Sequence, residues 1–252
     1  MIAAFLAFRF PTPHDSPPAW DKPGLQAMEL ANHKHEGAAE APVSTGPHRR
    51  VLSPARRCVE PLMGGFDVET NPGAVAGTKL RILEYPHPLL RAGNCEVVDF
   101  NYDLKKLTRE MFSVMYASRG VGLAAPQVGV NRRLMVFNPE GDPRKRRSEV
   151  VLCNPVIVEY SDTTDVEVEG CLSFPGFTAD VERSEWIKVE YQDVKGRKQE
   201  KQLEGWEARI FQHELDHVDS VLYIDRLGGD ERQRIQKNLD ELIAAHGPGG
   251  AL

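Results

Sequence analysis

The sequence has few cysteines, no long apolar run and no excess of positive charge. Its four cysteines include no C-x-x-C pair, so no disulfide framework is expected and the chain suits a reducing compartment. No apolar stretch approaches the roughly 20 residues that span a bilayer. A formal net charge of -6 argues against broad nucleic-acid binding. We therefore expect a soluble globular protein whose partners include neither DNA nor a membrane.

The first 78 residues are rich in proline. They contain ten of the 18 prolines and no sustained helical or strand period. Because proline removes backbone donors and interrupts helices, we expect a disordered extension over residues 1–78. The basic pairs Arg49-Arg50 and Arg56-Arg57 are typical of an organelle transit peptide, whereas the acidic residues of the same segment are not. A plain disordered tail or a misassigned start is the alternative interpretation.

Residues 79–246 have the pattern of one folded domain, followed by a short tail, 247–252, that is expected to be flexible. LRILEYPHPLL predicts a strand and then a turn, and DLKKLTREMFSVMYAS predicts an amphipathic helix. RRLMVFN, EVVLCNPVIVEY and EWIKVEYQDVKGRKQEKQLEG predict strands, the last with a Lys-Gly hairpin turn. Two further helices are predicted, from about Trp206 to Val218 and from about Asp230 to His246. A block of strands between helices indicates an α+β domain.

The penultimate predicted helix contains FQHELDH, in which His213 and His217 are four residues apart. Four residues turn an α-helix by about 400°, so both imidazoles project from one face. Glu214 is the next residue and can reach a metal-bound water without being a ligand. A cation that acidifies its water and a carboxylate that moves the proton are what metal-assisted hydrolysis requires. The same five-residue pattern also arises by chance on surface helices.

The histidines alone do not complete such a site, because a hydrolytic metal centre usually has three protein ligands and one open position. Protease families with this motif take the third ligand from a downstream residue, and Glu231 and Glu241 are the downstream glutamates here. Upstream, EGCLSFPG offers Cys171, whose thiolate suits iron or zinc. A single cysteine is, however, more often a small buried apolar residue. The residues by themselves leave the third ligand open.

A third segment, GVGLAAPQVGV, combines small residues with Gln127. Small residues let a backbone approach a ligand closely, and the glutamine amide can donate to an oxyanion. A tight, well-packed turn would explain the glycines equally well. The segment lacks the lysine and Ser/Thr of a phosphate-binding loop.

Together, GVGLAAPQ, EGCLS and QHELDH resemble the three motifs of the peptide deformylase family, in the family's order and with similar separations. The resemblance covers about residues 79–245, and LMVFNPEG and EGCLSFPG are most similar to the branch found in plant organelles and many bacteria. It implies an α+β fold with antiparallel or mixed sheets around a central helix that carries HELDH, plus a C-terminal helix. It also implies a hydrolase that removes the formyl group from the N-terminal formyl-methionine of newly made polypeptides.

The resemblance implies a role for each residue of the site. Cys171, His213 and His217 would hold one divalent ion, Fe²⁺ or in its place Zn²⁺, Ni²⁺ or Co²⁺. Glu214 would transfer protons, while Gln127 and the backbone N–H of Leu172 would stabilise the oxyanion. The peptide and its methionine side chain would contact Gly122, Gly170, Val121, Trp206, Arg209 and Ile210. Three charged residues would support the ligands, with a surface ion pair as the alternative: Glu169, Arg183 and Asp216.

The sequence supports two further expectations, one for Ser220 and one for a run of basic residues. Ser220 stands where the family usually has glycine, and if that position has a positive φ the serine costs about 1 kcal/mol. The basic run at residues 144–147 is expected to be a solvated loop, with a contact to ribosomal RNA as the alternative.

Location and function each have alternatives. The extension and the branch favour a plastid, the alternatives being a mitochondrion or bacterial cytoplasm. The alternative functions are a general zinc metallopeptidase and a non-catalytic module that binds formylated peptides or ribosomes.

Overall fold

The structure is a computed structural model that describes residues 75–252. The expectations for residues 1–74 lie outside the described residues. The three α-helices are α1 (Tyr102–Ala117), α2 (Gly205–Val218) and α3 (Gly229–His246). The seven strands are β1 (Gly122–Ala124), β2 (Leu134–Phe137), β3 (Val150–Tyr160), β4 (Thr164–Cys171), β5 (Phe174–Ser184), β6 (Trp186–Gln192) and β7 (Lys198–Glu204). Short 3₁₀ helices lie at Pro88–Arg91, Ala125–Val128, Arg146–Ser148 and Tyr223–Asp225.

The strands form two sheets. Five of them pair in the order β1-β2-β3-β6-β7, and β4 pairs with β5 as a separate hairpin. All of these pairings are antiparallel. The expected α+β fold with a central motif-bearing helix and a C-terminal helix is confirmed.

The helix α2 lies at the centre and packs on strands of both sheets. Every residue from Ala208 to Val218 is buried. Since the helix has no solvent-facing side over this stretch, its polar side chains must find partners inside the protein. The geometry of the site follows from those partners.

The helix α1 closes the other side of the larger sheet. Asn101 caps its first turn, accepting a hydrogen bond from the Leu104 amide at 3.1 Å. Met111 and Met115 are fully buried on one face and pack in one cluster with Leu123 of β1. Burying a side chain of this size stabilises the fold by about 1.5–3 kcal/mol. The predicted amphipathic helix is confirmed, within one residue at each end.

One predicted strand is wrong. The segment LRILEYPHPLL forms no strand; instead the Leu83 amide donates to the Gln127 carbonyl at 2.7 Å, and the Tyr85 amide donates to the Ser173 carbonyl at 2.8 Å. Because these two amides bond to two different segments, the residues before Pro86 have no single neighbouring strand with which to form a ladder. The segment therefore ties together two loops that carry site residues.

The described residues include three cysteines. Cys153 and Cys171 are free, whereas Cys95 is disulfide-bonded, which departs from the expectation of a chain without disulfides. In the tail, the Ala251 amide donates to the Pro86 carbonyl at 2.8 Å. Within residues 75–252, no helix is both long and apolar enough to cross a membrane.

Candidate metal centre

Cys171, His213 and His217 are brought together from two elements. Their ligand atoms all lie within 4.8 Å of one another, and the three residues are buried. The strand β4 ends at Cys171, and α2 presents both histidines on one face with ring centroids 5.4 Å apart. The Cys171 Sγ lies 3.2 Å from the His217 Nε2.

The downstream glutamates lie elsewhere. Glu231 accepts a hydrogen bond from the Asp180 amide at 2.6 Å and pairs with Arg234, and Glu241 lies near Lys237 on the exposed side of α3. Neither belongs to the cluster of ligand atoms, which is the only such group found in the described part of the chain. The geometry favours Cys171 over a downstream carboxylate.

The donor set fits one divalent ion. The His213 Nδ1 lies 2.8 Å from a carboxylate oxygen of Glu169, which makes Nδ1 the donor and leaves a lone pair on Nε2. That Nε2 is buried and has no hydrogen-bond partner among residues 75–252. A buried ring nitrogen without a partner is costly, and a cation would satisfy it. A thiolate and two imidazoles suit iron or zinc, with a fourth position open to water or substrate.

Glu214 lies beside this centre. Its carboxylate is buried, and its Oε2 makes no hydrogen bond within the described residues. Burial raises the pKa of Glu214 to about 7, close to the value that suits a group that both accepts and returns a proton. Gly122 makes room for it, since a Cβ there would lie 2.4 Å from the Glu214 Oε1.

Gln127 is held in a single orientation next to the cysteine. Its Oε1 accepts from the Ala124 amide at 2.9 Å, and its Nε2 lies 3.3 Å from the Ser173 hydroxyl and 3.6 Å from the Cys171 sulfur. Leu172, the next residue after Cys171, is also buried. The Gln127 side-chain amide thus lies beside the ligand cluster, a position from which an amide can donate to an oxyanion.

The three predicted supporting charges are all buried, so the alternative of a surface ion pair does not hold. The Arg183 guanidinium donates to Glu169 at 2.8 and 2.9 Å and to Asp216 at 2.6 Å. Burial alone would raise the pKa of Glu169, but the hydrogen bonds and charge of Arg183 outweigh it and hold that pKa well below its usual range. Glu169 is therefore ionised and available to His213. Removing one partner from a buried charge group of this kind costs about 3–5 kcal/mol.

The predicted methionine pocket is one cavity beside the ligands. It is lined by Val121, Glu169, Trp206, Arg209, Ile210, His213 and Glu214. The Trp206 ring is anchored by its Nε1, which donates to the Pro139 carbonyl at 3.1 Å. Arg209 does not offer a free charge to a substrate, because its guanidinium donates to Glu169 at 2.8 Å and to Val181 at 3.0 Å. Gly170 lies outside this lining, on β4 next to Cys171.

Sequence reasoning missed one aromatic neighbour of the site. The Tyr223 ring lies 6.0 Å from the His213 ring and 5.0 Å from the Phe174 ring, centroid to centroid. It is buried in a core cluster that also contains Cys171. Tyr223 follows α2 in the apolar run Val221–Ile224, a pattern that is typical of core packing and does not by itself indicate a place beside the site.

Two imidazoles and a thiol around an open position, with a carboxylate beside it, are the donor set of a mononuclear metallohydrolase. The family model described as polypeptide deformylase matches residues 79–233. The chain belongs to the peptide deformylase family, as its three motifs predict.

Individual relatives agree with the family match. The chain is 47% identical over 163 residues to the chloroplastic peptide deformylase 1B of Oryza sativa, covering 65% of this chain and 60% of that protein. It is 42% identical over 193 residues to the chloroplastic peptide deformylase 1B of Solanum lycopersicum, covering 77% and 69%. A crystal structure of a mutant Arabidopsis thaliana peptide deformylase 1B aligns with a TM-score of 0.65 at 44% identity, covering 66% of this chain and 91% of that one. The match to the rice protein thus spans less than two thirds of that protein's length.

Proposed function

We propose that this chain hydrolyses the N-formyl amide of formyl-methionyl peptides, releasing formate and a free amino terminus. The observation that carries the proposal is the convergence of Cys171, His213 and His217 within 4.8 Å. Family membership supports it independently.

The ion would be ferrous iron, with zinc, nickel or cobalt able to replace it, since a thiolate with two imidazoles accepts each of these. When bound, such a cation lowers the pKa of water towards about 7 and polarises a carbonyl. Glu169 would keep His213 in the tautomer whose Nε2 faces the ion, through the 2.8 Å contact to Nδ1.

Proton transfer would fall to Glu214. Its carboxylate removes a proton from the attacking water and returns one to the departing amine, and a pKa raised by burial to about 7 permits both. The oxygen of the formyl carbonyl becomes negative as the tetrahedral intermediate forms. The Gln127 side-chain amide and the Leu172 backbone N–H would stabilise that charge.

The substrate would lie between two strands. Gly122 is the first residue of β1, which is at one end of the larger sheet, and Gly170 lies on β4, which pairs with β5 alone. An extended peptide can add to strand edges of this kind through main-chain hydrogen bonds. Its methionine side chain would enter the cavity lined by Val121, Trp206 and Ile210.

The setting implied by this substrate is a bacterial-type translation system. The rice and tomato relatives carry chloroplastic names, which supports a plastid as the location of this chain. A ribosome contact through residues 144–147 stays a prediction. The structure weakens its electrostatic basis, because Arg144 pairs with Asp142 and Lys145 pairs with Glu140.

The experiment that tests the proposal is an anaerobic assay on formyl-Met-Ala-Ser, with the metal content of iron-loaded and zinc-loaded protein measured in parallel. We expect formate release from the wild type and loss of both metal and activity in Cys171→Ser. Glu214→Ala should retain the metal, and its turnover rate should fall by about 10²–10⁴-fold. Cleavage of the Met-Ala bond would instead indicate a general metallopeptidase. Metal binding without formate release would indicate a non-catalytic module.

A further inference from the structure

The C-terminal end of α2 is held by residues 91–94, here called the α2 clamp. The Asn94 side-chain amide donates to the backbone carbonyl of His217 at 3.3 Å and to that of Val218 at 3.0 Å. The last carbonyls of an α-helix have no partner within the helix. Asn94 therefore supplies a donor for the Val218 carbonyl and a second donor for the carbonyl of His217, the second histidine of the site, which also accepts from the Ser220 amide at 3.1 Å.

Two neighbouring contacts hold the same junction. The Ser220 hydroxyl donates to the Ala92 carbonyl at 2.6 Å, and Arg91 forms a two-point ion pair with Asp225. Both partners lie in the turn that follows α2. The α2 clamp thus contacts the helix end and its exit at three successive points.

The orientation of the Asn94 amide is itself determined. Its Oδ1 accepts from the buried Asn131 side chain at 3.3 Å, which directs its nitrogen towards α2. The backbone next to it is anchored as well, because the Cys95 amide donates to the Asn131 carbonyl at 3.2 Å and the Arg133 amide donates to the Cys95 carbonyl at 2.6 Å. The donor that reaches His217 is therefore fixed on a braced segment.

The two histidines differ in what orients them. A metal-ligating histidine usually donates its second ring nitrogen to a carboxylate, carbonyl or water. His213 has Glu169 at 2.8 Å, whereas the Nδ1 of His217 is buried and bonds to none of residues 75–252. The placement of the His217 ring then depends on its backbone, which the α2 clamp holds.

We propose that Asn94 is a positioning residue for His217, fixing the helix end that carries the second imidazole through hydrogen bonds to the carbonyls of His217 and Val218. The inference rests on the proposed function, since it assumes that the site holds a metal ion. It adds a residue outside the three motifs to the set that determines how firmly the ion is retained.

The test compares two asparagines that cap different helices. Asn94→Ala removes the donor at the end of α2, and Asn101→Ala removes the cap of α1, a hydrogen bond of 3.1 Å that lies outside the site. Both proteins are loaded with Co²⁺, and its release to a chelator is followed by the loss of visible absorption. Melting temperatures and KM for formyl-Met-Ala-Ser are recorded alongside.

We expect Asn94→Ala to release Co²⁺ about tenfold faster than the wild type, in line with the loss of other residues that orient ligands. Asn101→Ala should release it at the wild-type rate despite a comparable fall in melting temperature. KM should stay unchanged in Asn94→Ala, because the pocket residues Trp206 and Ile210 lie in the first half of α2.

Two further outcomes are decisive. If Asn94→Ala does not fold, Asn94→Asp keeps the size and the acceptor oxygen but loses the donor, and the same acceleration is expected. Release at the wild-type rate from a folded variant overturns the role of Asn94 while the proposed function stands. A wild type that takes up no Co²⁺, Fe²⁺ or Zn²⁺ overturns the proposed function itself.

Discussion

At the scale of single residues, the geometry around Glu214 depends on the absence of a side chain at position 122. A Cβ at Gly122 would lie 2.4 Å from the Glu214 Oε1 and 2.9 Å from its Cδ and Cγ. Since the carboxylate is the end of a flexible side chain, it can move away at little cost to stability. The cost falls on catalysis, because a displaced base no longer meets the water it must deprotonate.

We therefore predict that Gly122→Ala lowers kcat/KM by about 10²-fold, with metal content unchanged and the free energy of unfolding within about 1 kcal/mol of wild type. The measurements are steady-state kinetics on formyl-Met-Ala-Ser, metal analysis and urea denaturation. Gly228→Ala is the matched control, because a Cβ there meets nothing within 4 Å. Unimpaired kinetics in Gly122→Ala would show that the absence of a side chain at position 122 is not needed to place the Glu214 carboxylate.

At the scale of elements, the end of α2 departs from the family pattern in a way that the structure explains. Ser220 has a φ of +63°, in the left-handed region that favours glycine. The condition set for a cost at this position, a positive φ, is therefore met. Its hydroxyl donates to the Ala92 carbonyl at 2.6 Å, a contact that glycine could not make.

These two effects have similar size and opposite sign. The left-handed conformation costs serine about 1 kcal/mol, and the hydrogen bond returns about 1 kcal/mol. We predict that Ser220→Gly changes the free energy of unfolding by less than about 0.5 kcal/mol, whereas Ser220→Ala lowers it by about 1 kcal/mol. Urea denaturation of the two variants decides the point. An unchanged free energy of unfolding in Ser220→Ala would mean that the hydroxyl contributes nothing, and equal effects of both substitutions would mean that the positive φ costs nothing.

The hairpin of β4 and β5 shows why some elements escape prediction. On β4 the carboxylates of Asp165 and Glu169 face inward to Arg209, while Val166 and Val168 are exposed. The period-2 alternation of a strand is present in DVEVE, but its two faces are reversed, so the hydrophobic pattern predicts inward valines where the structure has inward carboxylates. Only the arginines of β5 and α2 make the inward acids stable.

At the scale of the whole molecule, a metal ion that binds only the folded state must raise stability. Its ligands come from β4 and α2, which are far apart in sequence, so the site exists only when the domain is folded. At a free ion concentration 100 times Kd, the gain is about 2.7 kcal/mol, which corresponds to roughly 5–10 °C in Tm for a domain of this size.

We predict that Zn²⁺ raises the Tm of wild-type protein by about this amount and that a chelator reverses the shift. Cys171→Ala should abolish the shift, since it removes the only anionic ligand. His246→Ala serves as the control, because it removes an imidazole at the end of α3, outside the ligand cluster. A Zn²⁺-dependent shift that survives in Cys171→Ala would place the stabilising ion elsewhere.

Interactions between residues close in the sequence were enough to predict several features of the protein. The four-residue spacing of His213 and His217 determined that both rings share a face of one helix, and the apolar period determined α1. The order of the three sequence motifs predicted the family. The third ligand was different, because Cys171 and Glu231 were both compatible with the residues alone, and only the fold shows which side chain reaches the histidines.

The tertiary structure also decided the features that depend on contacts between segments that are distant in the sequence. Glu169, Arg183 and Asp216 are buried as one network. The segment LRILEYPHPLL connects two site loops and does not form the predicted strand. Asn94 contacts the end of α2. The physical reason is that helix periodicity and capping act over a few residues, whereas burial, charge pairing and metal-ligand geometry are set by neighbours in space that the linear sequence does not identify.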